Sequence, residues 1–140
     1  MPYLLDTNAL SEINKPVPNK GFMEWFNKAD EADFYVSCIT FGELYKGIEL
    51  LVDTAKRKRL VEHTTEVIEA FSNRIIIIDL NTTLIWSKLV STSIQKGQTA
   101  PSIDALIASQ CLQHNLVLVT RNVKDFKQFN DLKLHCPWSE

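Results

Sequence analysis

Asp6 follows the aliphatic pair Leu4-Leu5 and precedes Thr7 and Asn8, so a carboxylate and two polar neighbours stand where an apolar segment ends. Three further acids occupy comparable points: Glu43 in Thr40-Phe41-Gly42-Glu43, Asp104 in Ser102-Ile103-Asp104, and Asp125 shortly after Thr120-Arg121-Asn122. In open α/β sheets, the carboxyl ends of the strands and the helix starts beyond them form the crevice where sites are built. Four carboxylates in one crevice repel, because two unit charges about 4 Å apart at an effective dielectric near 20 cost roughly 4 kcal/mol. A divalent cation relieves that repulsion. Oxygen-only ligands suit Mg²⁺ or Mn²⁺, whereas zinc recruits His or Cys, and His63, His114 and His135 lie outside all four motifs.

Each acid also has a structural explanation. Asp6, with Thr7 and Asn8, suits a turn or helix cap. Thr40 and Glu43 match the capping box, in which the two residues satisfy helix amides reciprocally. Asp104 in a first helical turn gains roughly 0.3 to 1 kcal/mol from the helix dipole. Asn122 and Asp125 repeat the cap pattern after the fourth aliphatic run. Asp104 stands apart, because Ile107, Ala108 and Cys111 follow it at three, four and seven positions. Its side chain borders the apolar face of its helix, where a carboxylate requires a partner. Asp79 ends another aliphatic run, but its polar neighbours do not suggest convergence with the other acids, and it reads as structural.

Bringing these acids together requires strands that alternate with helices. Tyr3 to Leu5, Phe34 to Cys38, Arg74 to Ile78 and Leu116 to Thr120 read as strands covered on both faces, the mark of a parallel sheet. Phe41 to Leu51 and Thr54 to Ser72 read as consecutive helices. Asn81 is expected to cap a further helix through Gln95, which Gly97 closes. Pro101 and Ser102 open the next, whose stripe Ile103, Leu106, Ile107 and Cys111 is expected to face the sheet. The turn-rich stretch Asn14 to Gly21 is expected to be an exposed loop. Phe22, Trp25 and Phe26 have helical spacing and, with Leu44, Ile48 and Leu51, supply either core or an interaction surface.

The chain has 140 residues, 45% of them hydrophobic and 23% charged, which fits one globular domain over residues 1–140. With a net charge of -2, bulk attraction to nucleic acid is excluded, so any polyanion must be met locally. The longest aliphatic runs fall far short of the roughly 20 residues that cross a bilayer. The first residues lack the basic and apolar regions of a secretory signal, so a cytoplasmic protein is expected. Cys38, Cys111 and Cys136 are odd in number without a close pair, which points to free thiols.

Leu4-Leu5-Asp6-Thr7-Asn8-Ala9-Leu10-Ser11-Glu12, Thr40-Phe41-Gly42-Glu43-Leu44-Tyr45-Lys46-Gly47, Ser102-Ile103-Asp104-Ala105-Leu106-Ile107-Ala108 and Thr120-Arg121-Asn122-Val123-Lys124-Asp125-Phe126 together resemble, in order and spacing, the PIN domains of VapC-type toxins. The resemblance spans essentially the whole chain. It implies a Rossmann-like three-layer sandwich, with a mostly parallel sheet between helices. It also implies an Mg²⁺- or Mn²⁺-dependent endoribonuclease acting on RNA such as tRNA or rRNA, the toxin of a toxin-antitoxin pair. A homodimer and a small antitoxin partner are implied as well. The family's invariant acids map onto Asp6, Glu43 and Asp104. Its variable fourth position falls at Asn122, with Asp125 as the nearby carboxylate. Thr7, Asn8, Thr120 and Asn122 are the supporting polar residues.

Metal-held oxygens suit phosphodiester hydrolysis by water. The absence of a His pair beside the acids disfavours attack through the 2′-hydroxyl, so 5′-phosphate and 3′-hydroxyl ends are expected. Lys46, Lys56, Lys58 and Arg121 are candidate RNA contacts, against the alternative that the run Lys56 to Arg59 is a solvated helix face. Two other readings of the same fold stand beside the toxin: an RNA-processing nuclease without an antitoxin, and an inactive binding module. A phosphoacceptor domain built on Asp6 would leave Glu43 and Asp104 without a role.

Overall fold

The computed structural model describes residues 2–139. In chain order the elements are β1 (Tyr3–Leu5), α1 (Thr7–Ile13), α2 (Lys20–Lys28), a 3-10 turn (Glu31–Asp33), β2 (Phe34–Ser37), α3 (Cys38–Glu49), α4 (Thr54–Ala70), β3 (Ile75–Ile76), α5 (Leu80–Gln95), α6 (Ser102–His114), β4 (Val117–Val119), α7 (Val123–Phe126) and β5 (Leu134–His135). The sheet order is β3-β2-β1-β4-β5, with every pair parallel. β1 sits between β2 and β4, so the strand order reverses there. That reversal is where an open α/β sheet leaves a crevice beyond its carboxyl ends.

The two faces follow from the two-residue period of a strand. Leu4 and Leu118 pack with Ala105, Ile107, Ala108 and Cys111 of α6 on one face. Leu5, Val36 and Val119 pack with Ala9, Leu10, Phe22 and Phe41 on the other. Helices thus cover both sides, giving the three layers that the resemblance implies. Leu4, Leu5, Leu118 and Val119 have no exposed surface, and burying such side chains contributes about 1.5–3 kcal/mol each. Phe22 is core, with Trp25 and Phe26 packed against it, which resolves the open reading of that aromatic trio. No helix among the described residues is long and apolar enough to cross a membrane.

Several local expectations are corrected. α3 begins at Cys38, because the Ser37 hydroxyl accepts from the Ile39 amide at 3.1 Å and ends β2. Thr40 is then a buried residue inside the helix, and the Thr40-Glu43 capping box does not form. Asp79, not Asn81, caps α5: its carboxylate accepts from the Thr82 amide while the Thr82 hydroxyl accepts from the Asp79 amide, at 3.0 and 3.1 Å. Lys96 ends that helix and Gly97 follows at φ +73, the left-handed turn expected of it. On α6 the buried stripe includes Ala105, Ile107, Ala108 and Cys111, whereas Ile103 in the first turn is 40% exposed. Strands β3 and β4 are shorter than the aliphatic runs that contain them, and β5 had no aliphatic run to announce it. Cys111 is buried, Cys38 intermediate and Cys136 exposed, all as free thiols.

Candidate active site

Asp6 is the first residue beyond β1 and the N-cap of α1, so one residue ends the central strand and starts a helix. Its amide donates to the Val119 carbonyl at 3.0 Å, which ties the cap to the end of β4. The carboxylate is nearly buried and takes three donors. The Thr7 amide reaches Oδ1 at 2.9 Å, while the Thr120 hydroxyl and the Asn8 amide group reach Oδ2 at 2.9 and 3.3 Å. A carboxylate has about four acceptor positions, so these bonds fix its orientation and leave one position on Oδ1. Burial pushes the Asp6 carboxyl above its ordinary value; the three donors counter this, and the Glu43 charge adds to it.

The Thr7 hydroxyl donates to Glu43 Oε1 at 2.8 Å, linking α1 to α3 across the crevice. With the capping box gone, Glu43 stands in the second turn of its helix with its carboxylate held toward Asp6 by Thr7. Asp104, in the first turn of α6, is half-buried and accepts no hydrogen bond among the described residues. Burial raises its carboxyl first, and the charges of Asp6, Asp125 and Glu43 raise it further. The four acids named by the sequence therefore share one electrostatic environment. No Lys or Arg among the described residues forms an ion pair with any of them.

The donor set is all oxygen, which fits Mg²⁺ or Mn²⁺. Among the described residues no three acidic, His or Cys side chains already surround one ion-sized point. Asp6, Glu43 and Asp104 are expected to hold one metal directly or through water, and this spacing fits a cation that keeps part of its hydration. Mg²⁺ is such an ion, keeping several waters and binding through one or two carboxylates.

The supporting residues divide. Thr7, Asn8 and Thr120 all bond the acids. Asn122 does not: its side chain makes no cap bond, and its amide donates to the Thr120 hydroxyl at 3.0 Å. It acts at one remove, steadying the hydroxyl that holds Asp6. Asp125 is exposed on the short α7 and enters through its charge on Asp104 alone. Arg121 lies against the site, its amide donating to Asn8 Oδ1 at 3.2 Å. Lys56 instead lines a separate apolar groove between α3 and α4, with Leu44, Ile48 and Leu60. Lys46 and Lys58 are exposed, and Arg57 within the basic run pairs with Glu49 at 2.6 Å.

Sequence reasoning passed over Glu12, which is 2% exposed and yet charged. The signal was available: Glu12 falls three residues after Ala9 on α1, hence on its buried face.

Comparison with known proteins bears on the whole chain. The PIN domain model matches residues 3–132. Toxin FitB of Neisseria gonorrhoeae is 31% identical over 138 residues, covering 98% of this chain and 99% of that protein. Ribonuclease VapC2 of Rickettsia felis is 33% identical over 137 residues, covering 96% of each. Among solved structures, FitAB bound to an IR36 DNA fragment superposes with a TM-score of 0.89 at 29% identity, covering 99% of this chain and 96% of that one.

Proposed function

The chain belongs to the PIN domain family, and on that footing we propose that it is a metal-dependent endoribonuclease, the toxin of a VapBC-type toxin-antitoxin pair. Asp6, Glu43 and Asp104 are its catalytic acids, with Asp125 as an outer fourth. The observation that carries this reading is Asp104: a half-buried carboxylate with no hydrogen-bond donor and three other acids as its charged neighbours. Such a group costs stability until a cation arrives.

In this mechanism Thr7, Asn8 and Thr120 hold Asp6 rigid, so that its remaining acceptor position faces one direction. Thr7 also fixes Glu43, setting the separation between the two acids. Asp104 keeps both oxygens free, so it would help hold the metal and orient the attacking water. A bound Mg²⁺ or Mn²⁺ would polarise the scissile phosphate and lower the pKa of the attacking water. The partners on this reading are an RNA substrate, a small antitoxin and a second copy of the chain, in the cytoplasm. Toxin FitB and the solved FitAB assembly support the two-component arrangement.

The test is purified protein, free of antitoxin, incubated with total cellular RNA with and without Mg²⁺ or Mn²⁺, beside Asp104→Asn. Metal-dependent cutting that leaves 5′-phosphate and 3′-hydroxyl ends is the expected outcome. Cyclic phosphate ends, or equal cutting by Asp104→Asn, refute the mechanism.

A further inference from the structure

Beside the carboxylates lies a concavity of about 360 Å³ with the opposite electrostatic character. Thr7, Asn8, Glu12, Lys15, Arg121 and Trp138 line it. Thr7 and Asn8 belong to both places, because they also bond Glu43 and Asp6. The concavity and the acids therefore share a wall.

Its charges are arranged for an anion. Glu12 is the one acid in that lining, and both its oxygens are engaged: Oε1 accepts from Trp138 Nε1 at 2.7 Å and Lys15 Nζ at 3.2 Å, and Oε2 accepts from the Asn19 amide at 3.1 Å. Its charge is thus spent within the wall, and the same bonds pin the indole. The residue after Trp138 is locked too, since Asn19 Nδ2 donates to the Ser139 carbonyl at 2.8 Å. Gly21 is required by this docking: a Cβ there would stand 2.7 Å from that of Ser139. Arg121 is exposed, and its guanidinium has no ion pair or hydrogen bond among the described residues. The bond from its amide to Asn8 fixes where its stem leaves the backbone, next to Asp6.

We propose that this concavity binds the RNA backbone phosphate adjacent to the scissile one, with Arg121 as its cation and the Lys15-Glu12-Trp138 cluster as the rigid wall. It rests on the ribonuclease reading above. An RNA strand entering the acidic crevice has only its scissile phosphate beside a metal, while its neighbouring phosphates still meet the carboxylates. A cation on the shared wall offsets that repulsion where bulk charge does not. The planar guanidinium presents paired donors that match two phosphate oxygens.

The test uses the Asp104→Asn protein, expected to bind RNA with cleavage suppressed, and a short fluorescent RNA spanning a cut site mapped with the wild-type enzyme. Adding Arg121→Ala is expected to weaken binding about tenfold, the loss of one charged phosphate contact. It is also expected to lower the slope of log K against log salt by about 0.7, the value for one phosphate on a single strand. Arg121→Lys keeps the slope, and Lys88→Ala on α5, outside the lining, leaves the affinity unchanged. The same RNA carrying a neutral methylphosphonate beside the cut site is expected to lose affinity equally and to become indifferent to Arg121→Ala. The same Arg121→Ala loss on both RNAs, or none on either, overturns the proposal; the second result would leave the concavity to an acidic protein segment. Failure of the ribonuclease reading shows separately, as wild-type protein that cuts no RNA with either metal, and the proposal then falls with it.

Discussion

Glu12 and Asp104 are both acids on helices, and their surroundings differ in kind. Around Glu12 the neighbours are donors: an indole N–H, a backbone amide and an ammonium group. Burial pushes its carboxyl up, but those bonds outweigh it and leave the group below its ordinary value. Around Asp104 the neighbours are other acids, and burial and repulsion both raise it. A charge among donors contributes to the fold, whereas a charge among like charges is retained at the fold's expense. Asp79 belongs with Glu12, its carboxyl lowered by the Thr82 amide and by Gln113, whose side-chain nitrogen reaches both its oxygens at 2.9 and 3.1 Å. Asp6 combines both situations, with three donors and a raised carboxyl.

The largest expected effect separates activity from stability. Asp104→Asn should lower RNA cleavage by at least about 10²-fold while raising the Tm of the metal-free protein, because it removes a repelled charge. Calorimetry beside a cleavage assay checks both halves; a lower Tm would move Asp104 into the class of Glu12. Glu12→Ala should do the reverse to the fold. It leaves the half-buried Trp138 indole and Asn19 amide without their acceptor, while the exposed Lys15 turns to water, and should cost about 1–3 kcal/mol in denaturant unfolding. An unchanged midpoint would break the comparison from the other side.

The pH dependence of stability should divide the two classes by sign. Asp6 and Asp104 have folded values raised above 3.8, so the folded chain takes up protons before the unfolded one as pH falls. The penalty they impose is full at neutral pH and vanishes on acidification toward about 4. Glu12 and Asp79 are lowered from 4.5 and 3.8, so their contribution is complete above those values and is lost only as pH falls through the lower folded ones. The Tm advantage of Asp104→Asn over wild type should therefore shrink between neutral pH and about 4, while the disadvantage of Glu12→Gln persists through that window. Parallel Tm curves for the two variants would contradict this. The smallest effect is expected from Gln113→Ala, which loosens the tie between α5 and α6: a Tm lower by a few degrees, with cleavage unchanged.

What the sequence reveals depends on how far apart the interacting residues lie. Asp6, Glu43 and Asp104 were legible because each sits where an aliphatic run or its following helix changes character, a signal contained in a few residues. The start of α3 was not, since Ser37 and Thr40 are both competent caps and only the end of β2 decides between them. β5 escaped notice because two residues, Leu134 and His135, become a strand through pairing with β4 and not through their own pattern. The position of Glu12 on the buried face of α1 is local, but the indole that satisfies it, Trp138, comes from 126 positions away, which no local spacing announces. The apolar groove that takes Lys56 depends on how α3 and α4 cross, which no local spacing specifies.

The central position of β1 has a consequence for biosynthesis. Its first neighbour, β2, is made early, but its second is β4, and the hydroxyl that orients Asp6 lies 114 positions downstream at Thr120. A nascent chain on the ribosome therefore carries its earliest acid long before the strand that sets it in place, and pairings of such sequence separation form slowly. Protease mapping of arrested chains of increasing length should show β1 protected only after residues 117–120 emerge. The carboxylate of Asp6 would then be held in its final orientation only after Thr120 has left the ribosome, however early β1 itself is made.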